Sequence, residues 1–235
     1  MKIIPEAFVK SLMISLVIFY QSILWANPIE KSDKFRILNI THKMKVQIVS
    51  NTADDKTEFT VYNQSDNSLA VQTYPPRSVN RKLLMKDSDL WLFTPGIKKA
   101  IRVGLDQRLS GEVANGDILR TKFSNDYEFE FAKENEKSQV VYNLTKKTDN
   151  ATYSKIVYTL NKNDFRPIQA DFYAASGKIL KTATYQDYKK LSGQTVFTKV
   201  TVKDAITNNI STITYSNHAK AKLDSTFFNK ESMVD

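Results

Sequence analysis

Tyr127-Glu128-Phe129-Glu130-Phe131 places aromatic rings on one side of an extended chain and carboxylates on the other. That period of two is the mark of a half-buried β-strand. The rhythm returns downstream. Ile156, Tyr158 and Leu160 alternate with Lys155, Val157 and Thr159, and after Arg166-Pro167 come Ile168, Ala170 and Phe172 against Gln169, Asp171 and Tyr173. Val196, Thr198, Val200 and Val202 continue it against Lys199, Thr201 and Lys203. Turn residues separate the runs at Asp54-Asp55, Ser65-Asp66-Asn67, Pro75-Pro76, Thr94-Pro95-Gly96, Ser176-Gly177-Lys178 and Ser192-Gly193, spacings that fit an antiparallel meander of about ten strands.

One stretch departs from this rhythm. Gly104 to Phe123 is long, carries Gly104, Gly111 and Gly116, and shows no alternation. It reads as a segment crossing the sheet, with a loop followed by a short helix begun by Asp117 and carrying Ile118, Leu119 and Phe123 on its inner side. An all-β chain with one such insertion predicts a strongly curved antiparallel sheet, its concave side covered by a lid.

Composition is that of a globular chain: of 235 residues, 41% are hydrophobic, 25% charged and 11% aromatic, enough apolar material for a sizeable core. Absence of cysteine excludes disulfides, thiolate metal sites, a cysteine nucleophile and a lipid anchor on cysteine. Lys2 and Lys10 precede an apolar run from Leu12 to Leu24 that ends at Leu24-Trp25-Ala26, the pattern of a secretory signal cleaved near Ala26. Residues 1–26 are therefore expected to be a signal peptide and 27–235 a single domain. A retained N-terminal anchor is the alternative. Cleavage removes Lys2, Lys10 and Glu6, so the net charge goes from +9 to +8 over 209 residues. The expected location is the bacterial periplasm. In a eukaryotic secretory route Asn39, Asn63, Asn143, Asn150 and Asn209 would head glycosylation triplets, although such triplets arise by chance in an Asn- and Thr-rich chain.

A family resemblance rests on an ordered set of motifs. Leu83-Leu84-Met85, Asp89-Leu90-Trp91-Leu92-Phe93-Thr94-Pro95, Lys99-Ala100-Ile101-Arg102-Val103, Gln107-Arg108-Leu109-Ser110-Gly111 and Ala114-Asn115-Gly116-Asp117-Ile118 together resemble the signature block of LolA-like outer-membrane lipoprotein-sorting proteins. Asn125-Asp126-Tyr127, Phe165-Arg166-Pro167, Phe172-Tyr173, the run Ser176 to Thr182, and Tyr185 resemble later elements, so the likeness covers roughly residues 35–228 and is to an uncharacterised branch. It implies an unclosed half-barrel whose apolar concavity, under short helices and loops, holds acyl chains. Such a cavity has a physical rationale: each methylene moved through water costs about 0.8 kcal/mol, and a chain of roughly sixteen carbons on the order of 10 kcal/mol.

The candidates for lining the cavity or its lid are Trp91, Phe93, Ile101, Val103, Leu109, Ile118, Leu119 and Phe123, each of which would serve equally as ordinary core. Leu90 and Leu92 fall on one side of their strand, Trp91 and Phe93 on the other, and both sides are apolar. Arg102, Arg108 and Arg120 suit either an anionic headgroup or a clasp in which Asp117, beside Arg108 or Arg120, ties the crossing segment to the sheet.

Catalysis finds little footing. His42 and His218 are the only histidines, far apart and in no metal-ligand spacing, and no GxSxG, GxGxxG or phosphate loop is present. The acidic pairs Asp54/Asp55 and Asp87/Asp89 lie at turns, where solvated carboxylates are ordinary. No enzyme, cofactor or metal is expected. Basic residues are scattered without the dense cluster that nucleic acid requires, so anionic lipid, through transient membrane contact, is the expected electrostatic partner. Two functions lead, with a purely structural accessory as a weaker third. One is a carrier moving lipoprotein or lipid acyl chains between a membrane exporter and an acceptor. The other is a soluble lipid-sensing module of the same fold acting through a protein partner.

Overall fold

The protein is described from a computed structural model covering residues 27–52, 56–87, 89–119, 122–149, 151–224 and 226–234. The signal-peptide reading of residues 1–26, Arg120, Asn150 and the pair Asp54/Asp55 lie outside the described residues. A short helix, α1 (Pro28–Asp33), opens the chain, with the Asn27 side chain accepting from the N–H groups of Ile29 and Glu30, the usual way to satisfy a helix start.

An antiparallel meander follows: β1 (His42–Ser50), β2 (Lys56–Gln64), β3 (Asn67–Tyr74), β4 (Lys82–Lys86), β5 (Asp89–Phe93) and β6 (Ile101–Arg102). The crossing segment then holds a small ribbon of β7 (Arg108–Ser110) and β8 (Val113–Ala114), the helix α2 (Asn115–Leu119) and the single turn α3 (Phe123–Asp126). A second meander runs through β9 (Tyr127–Asn135), β10 (Gln139–Lys146), β11 (Lys155–Asn161), β12 (Pro167–Tyr173), β13 (Ile179–Leu191), β14 (Gln194–Asp204) and β15 (Ile210–Lys220). Pairing of β15 with β1 joins the two meanders into one sheet of 13 strands, with β6 and β9 at its edges and no closure between them. Two-residue turns such as Ser192-Gly193, both at positive φ, set the hairpin twist that makes this winding possible.

A flat sheet of that many strands would be about 60 Å wide at the usual strand spacing. Yet Leu83 and Leu90 from one half, Leu144 and Tyr158 from the other, and Ile118 and Phe123 from the crossing segment belong to a single buried cluster. The sheet is therefore curled into a half-barrel with the crossing segment in its concavity, the mainly β, unclosed and lidded architecture expected from the sequence.

Local departures have local causes. The helix α2 starts at Asn115, two residues before the expected Asp117, because a tight ribbon precedes it rather than a loop. Ile168 does not join the inner face: an irregularity between Thr159 and Leu160 pairs Leu160 with Pro167, which is buried instead. In β13, Asp187 at φ +55 breaks the alternation, so Tyr185 and Tyr188 both face inward opposite Val200 and Phe197. Asn63, one of the glycosylation triplets, is fully buried and hydrogen-bonded to Ser68.

Outside the sheet, the C-terminal segment returns across the convex side of the first meander. Leu223, Phe227, Phe228 and Met233 cover Leu69, Leu84, Trp91 and Phe93 there, forming a second, smaller cluster. Both faces of β4 and β5 are thus covered, one by the lid and one by this strap.

Candidate functional site

The concave cluster is the candidate site, and its lid is built from three short pieces. In α2, Ile118 and Leu119 are essentially fully buried; in the ribbon before it, Val113 is too. Phe123 opens α3 and inserts among Tyr127, Tyr158 and Phe172, with ring centroids 5.6, 5.2 and 6.5 Å away in edge-to-face geometry, arrangements favourable for aromatic pairs. Asp33, at the end of α1, holds α3 in place, its two carboxylate oxygens accepting from the N–H groups of Phe123 and Ser124 at 2.9 Å each. Burial pushes the Asp33 pKa up, opposed by the nearby Arg36 charge and the Ser124 and Phe123 donors. Arg36 lays its guanidinium 3.8 Å from the Phe123 ring centre and donates to the Tyr185 hydroxyl at 3.0 Å. One cation thereby spans lid and sheet.

Asp117 makes the second tie. Its Oδ2 lies 2.5 Å from Lys181 Nζ on β13, and both side chains are about nine-tenths buried. Its Oδ1 accepts from the Tyr153 hydroxyl at 2.6 Å, and Oδ2 also accepts from the Ala114 N–H at 2.8 Å. Lys181 donates as well to the Glu112 carbonyl at 3.0 Å and sits 5.2 Å from the Tyr153 ring centre. Such a pair is tolerable in a low-dielectric interior only because each charge has further hydrogen bonds. The proton-holding tendency of the surroundings follows suit: burial and the Asp117 charge keep the Tyr153 hydroxyl well above its ordinary pKa.

Tight packing completes the closure. At Gly116 a Cβ would fall 2.1 Å from Thr152 Oγ1, so α2 approaches the 151–154 segment as only glycine permits. Between lid and sheet there remains a cavity of about 20 Å³, bordered by Arg36, Asp117, Phe123, Phe172, Tyr185 and Phe197 among others, room for about one water. A wider cleft of about 930 Å³ opens beside α1 and the 122–125 segment.

The expected lining residues divide. Ile118, Leu119 and Phe123 lie in the concave cluster, and Val103 and Leu109 pack against it. Ile101 pairs with Leu92 on the edge strand but is half exposed, so it sits at the rim. Trp91 and Phe93 are on the opposite face, beneath Phe228 and Met233, with Lys230 Nζ 5.1 Å from the Trp91 ring centre. Their placement on the cavity side is corrected, and it is Leu90 and Leu92 that face the cup. Asp117 does form a buried ion pair, but with Lys181; Arg108 pairs instead with Glu112 at 3.5 Å and Arg102 with Asp89 at 2.5 Å, and Arg120 lies outside the described residues. Arg102 and Arg108 are mostly exposed. Residues passed over in the sequence, Asp33, Arg36, Tyr153, Lys181 and Phe197, reach the site from elements distant in the chain.

The two histidines, separated in sequence, stack with ring centroids 6.2 Å apart. Burial lowers the pKa of both, and each is further set by a neighbour, the Ile40 carbonyl raising His42 and the His42 charge lowering His218. Among the described residues no group of three or more His, Asp or Glu is arranged to hold a metal ion, and no helix is long and apolar enough to cross a membrane.

Comparison with known proteins places this chain in a family. A LolA superfamily protein from Nitrosomonas europaea is 31% identical, with 87% of this chain and 97% of that one covered and a TM-score of 0.82. The chain belongs to the LolA superfamily. A domain of the outer-membrane lipoprotein-sorting class from Vibrio parahaemolyticus, 19% identical, shares the fold at a TM-score of 0.74 over 88% of this chain and 97% of its own. So does a DUF1329 family protein from Desulfovibrio piger, 17% identical, at 0.73 over 88% and 96%. A family model with the description "-like: Uncharacterized protein" matches residues 64–235. None of the curated proteins matches the chain.

Proposed function

We propose that the protein is a periplasmic carrier that takes up acyl chains of a lipoprotein or lipid in its cup and moves them between an inner-membrane exporter and the outer membrane. In this reading residues 1–26 direct export and 27–235 act as one binding domain. The observation that carries it is an apolar concavity closed by separate short pieces, α2 and α3, rather than by the sheet itself. A core meant only for stability gains nothing from a cover held by a buried ion pair and a carboxylate cap, since well-packed apolar residues would serve as well or better. Held at two points, the lid can release. Ile118, Leu119 and Phe123 then leave the cup, and an acyl chain takes the place they vacate in the concave cluster, beside Tyr158 and Phe172. The chain regains on the order of 0.8 kcal/mol per buried methylene. The wide cleft beside α1 offers a route in; the exposed Arg102 and Arg108 lie outside it and meet an anionic headgroup only by exchanging Asp89 and Glu112 for it.

Native mass spectrometry of the protein purified from the periplasm without detergent tests this. A discrete added mass of acyl-lipid type, identified after extraction, is expected. Protein that flies without added mass and also fails to take up a fluorescent fatty acid would sink the carrier reading.

A further inference from the structure

The two edges of the sheet are finished differently. At one edge β6 has two residues, too short to template another strand. At the other, β9 has nine, and among the described residues it pairs with β10 alone. Its outer side thus presents a row of backbone donors and acceptors of the kind that recruits a further strand. Past Tyr127 the strand is exposed on both faces. On the concave face Phe129 and Phe131 lie against the edges of Tyr142, each at 5.9 Å, yet remain 40% and 57% exposed. On the convex face Glu128 and Glu130 stand opposite Thr145 and Asn143, and among the described residues no cation pairs with either, whereas Glu134 pairs with Lys162 at 2.6 Å.

We propose that β9 is a docking edge for an extended segment of another protein in which basic residues alternate with apolar ones, added as a fourteenth strand. Its Lys or Arg side chains meet Glu128 and Glu130 on the convex face, and its apolar side chains cover Phe129 and Phe131 on the other. Cross-strand pairs of opposite charge and of aromatic with aliphatic side chains are the pairs that stabilise adjoining strands. The same glutamates select against other occupants. A second copy of β9 would bring carboxylate against carboxylate, which is unfavourable, and an anionic bilayer is repelled by an acidic strand on an otherwise basic protein. An irregularity between Val141 and Tyr142, opposite the extra residue Ala132, limits unspecific pairing further. This surface does not depend on what the cup holds.

The test uses the full-length protein and two blocked octapeptides, (Lys-Val)4 and (Glu-Val)4, with binding read by calorimetry and the site by amide hydrogen exchange. The Lys-Val peptide is expected to bind at least about tenfold more tightly and to slow exchange within residues 127–135. Replacing Glu128 and Glu130 together by lysine, both being exposed and therefore harmless to folding, reverses the preference. Equal binding of the two peptides, protection confined to other elements, or an unchanged preference after charge reversal overturns the proposal. So does concentration-dependent self-association that the Glu128→Lys/Glu130→Lys protein lacks, or β9-dependent binding to anionic lipid vesicles.

Discussion

Lys181→Met is expected to lower the melting temperature by about 10 °C and, in the same protein, to tighten binding of a fluorescent fatty acid. The first effect follows from Asp117. Without Lys181 its carboxylate keeps the Tyr153 hydroxyl and the Ala114 N–H, but its charge stays in an interior that is nine-tenths closed to water. Removing one partner of such a pair costs about 3–5 kcal/mol, which for a chain of this size is on the order of 2–4 °C per kcal/mol. The second effect follows from where the pair sits. Asp117 belongs to α2 and Lys181 to the sheet, so their contact favours the closed lid, and a ligand that binds only the open form is weakened by the fraction of molecules that are closed. Raising the open fraction raises apparent affinity. The double change Asp117→Leu/Lys181→Met restores most of the stability, because neither charge is then left buried alone. Thermal unfolding and probe titration of the three proteins check this. A Lys181→Met protein as stable as the parent, or one that binds the probe more weakly, would contradict the clasp.

Phe93→Ala is expected to do the opposite pairing of effects: a large loss of stability with probe affinity unchanged within about twofold. Phe93 is 6% exposed and packs under Phe228 and Met233 on the convex side. Truncating a buried phenylalanine costs about 3–5 kcal/mol in lost transfer energy and residual cavity, but no atom of the concave cluster is removed. Trp91→Ala acts in the same direction and less strongly, since its ring is only partly covered. A fall in affinity larger than the fall in folded protein would place the ring's role in the cup after all, and equilibrium unfolding alongside titration separates the two.

Sequence order reveals some of this architecture and hides the rest for definite reasons. Alternation at 127–131 and 155–160 reports strands directly, because pleat geometry forces successive side chains to opposite faces, but the half-burial expected at 127–131 is corrected: on this edge strand only Tyr127 is buried, and Phe129 and Phe131 stay exposed. Alternation fails where the backbone does: Asp187 and the irregularity before Leu160 shift the face of Tyr188 and Ile168, and nothing in the side-chain pattern announces either. In β5 both faces are apolar, so the pattern alone cannot distinguish cup from strap. The distinction comes from Phe227, Phe228 and Met233, more than 130 residues downstream. Asp117 was legible as one half of an ion pair only through the arginines near it, since an arginine in an otherwise apolar segment needs a partner. Its partner was not, because Lys181 is one lysine among many until β13 brings it 2.5 Å from the carboxylate. His42 and His218 meet for the same reason, through the pairing of β1 with β15.

The account rests on acyl chains occupying the concave side beneath the lid. A fatty acid carrying a mid-chain diazirine, photolysed on the full-length protein and mapped by peptide mass spectrometry, tests that placement most directly. Adducts are predicted on Ile118, Phe123, Phe172 and Phe197, and more of them with Lys181→Met. Adducts on Trp91, Phe93 and the 223–233 strap, or labelling no greater than that of unfolded protein, would contradict it.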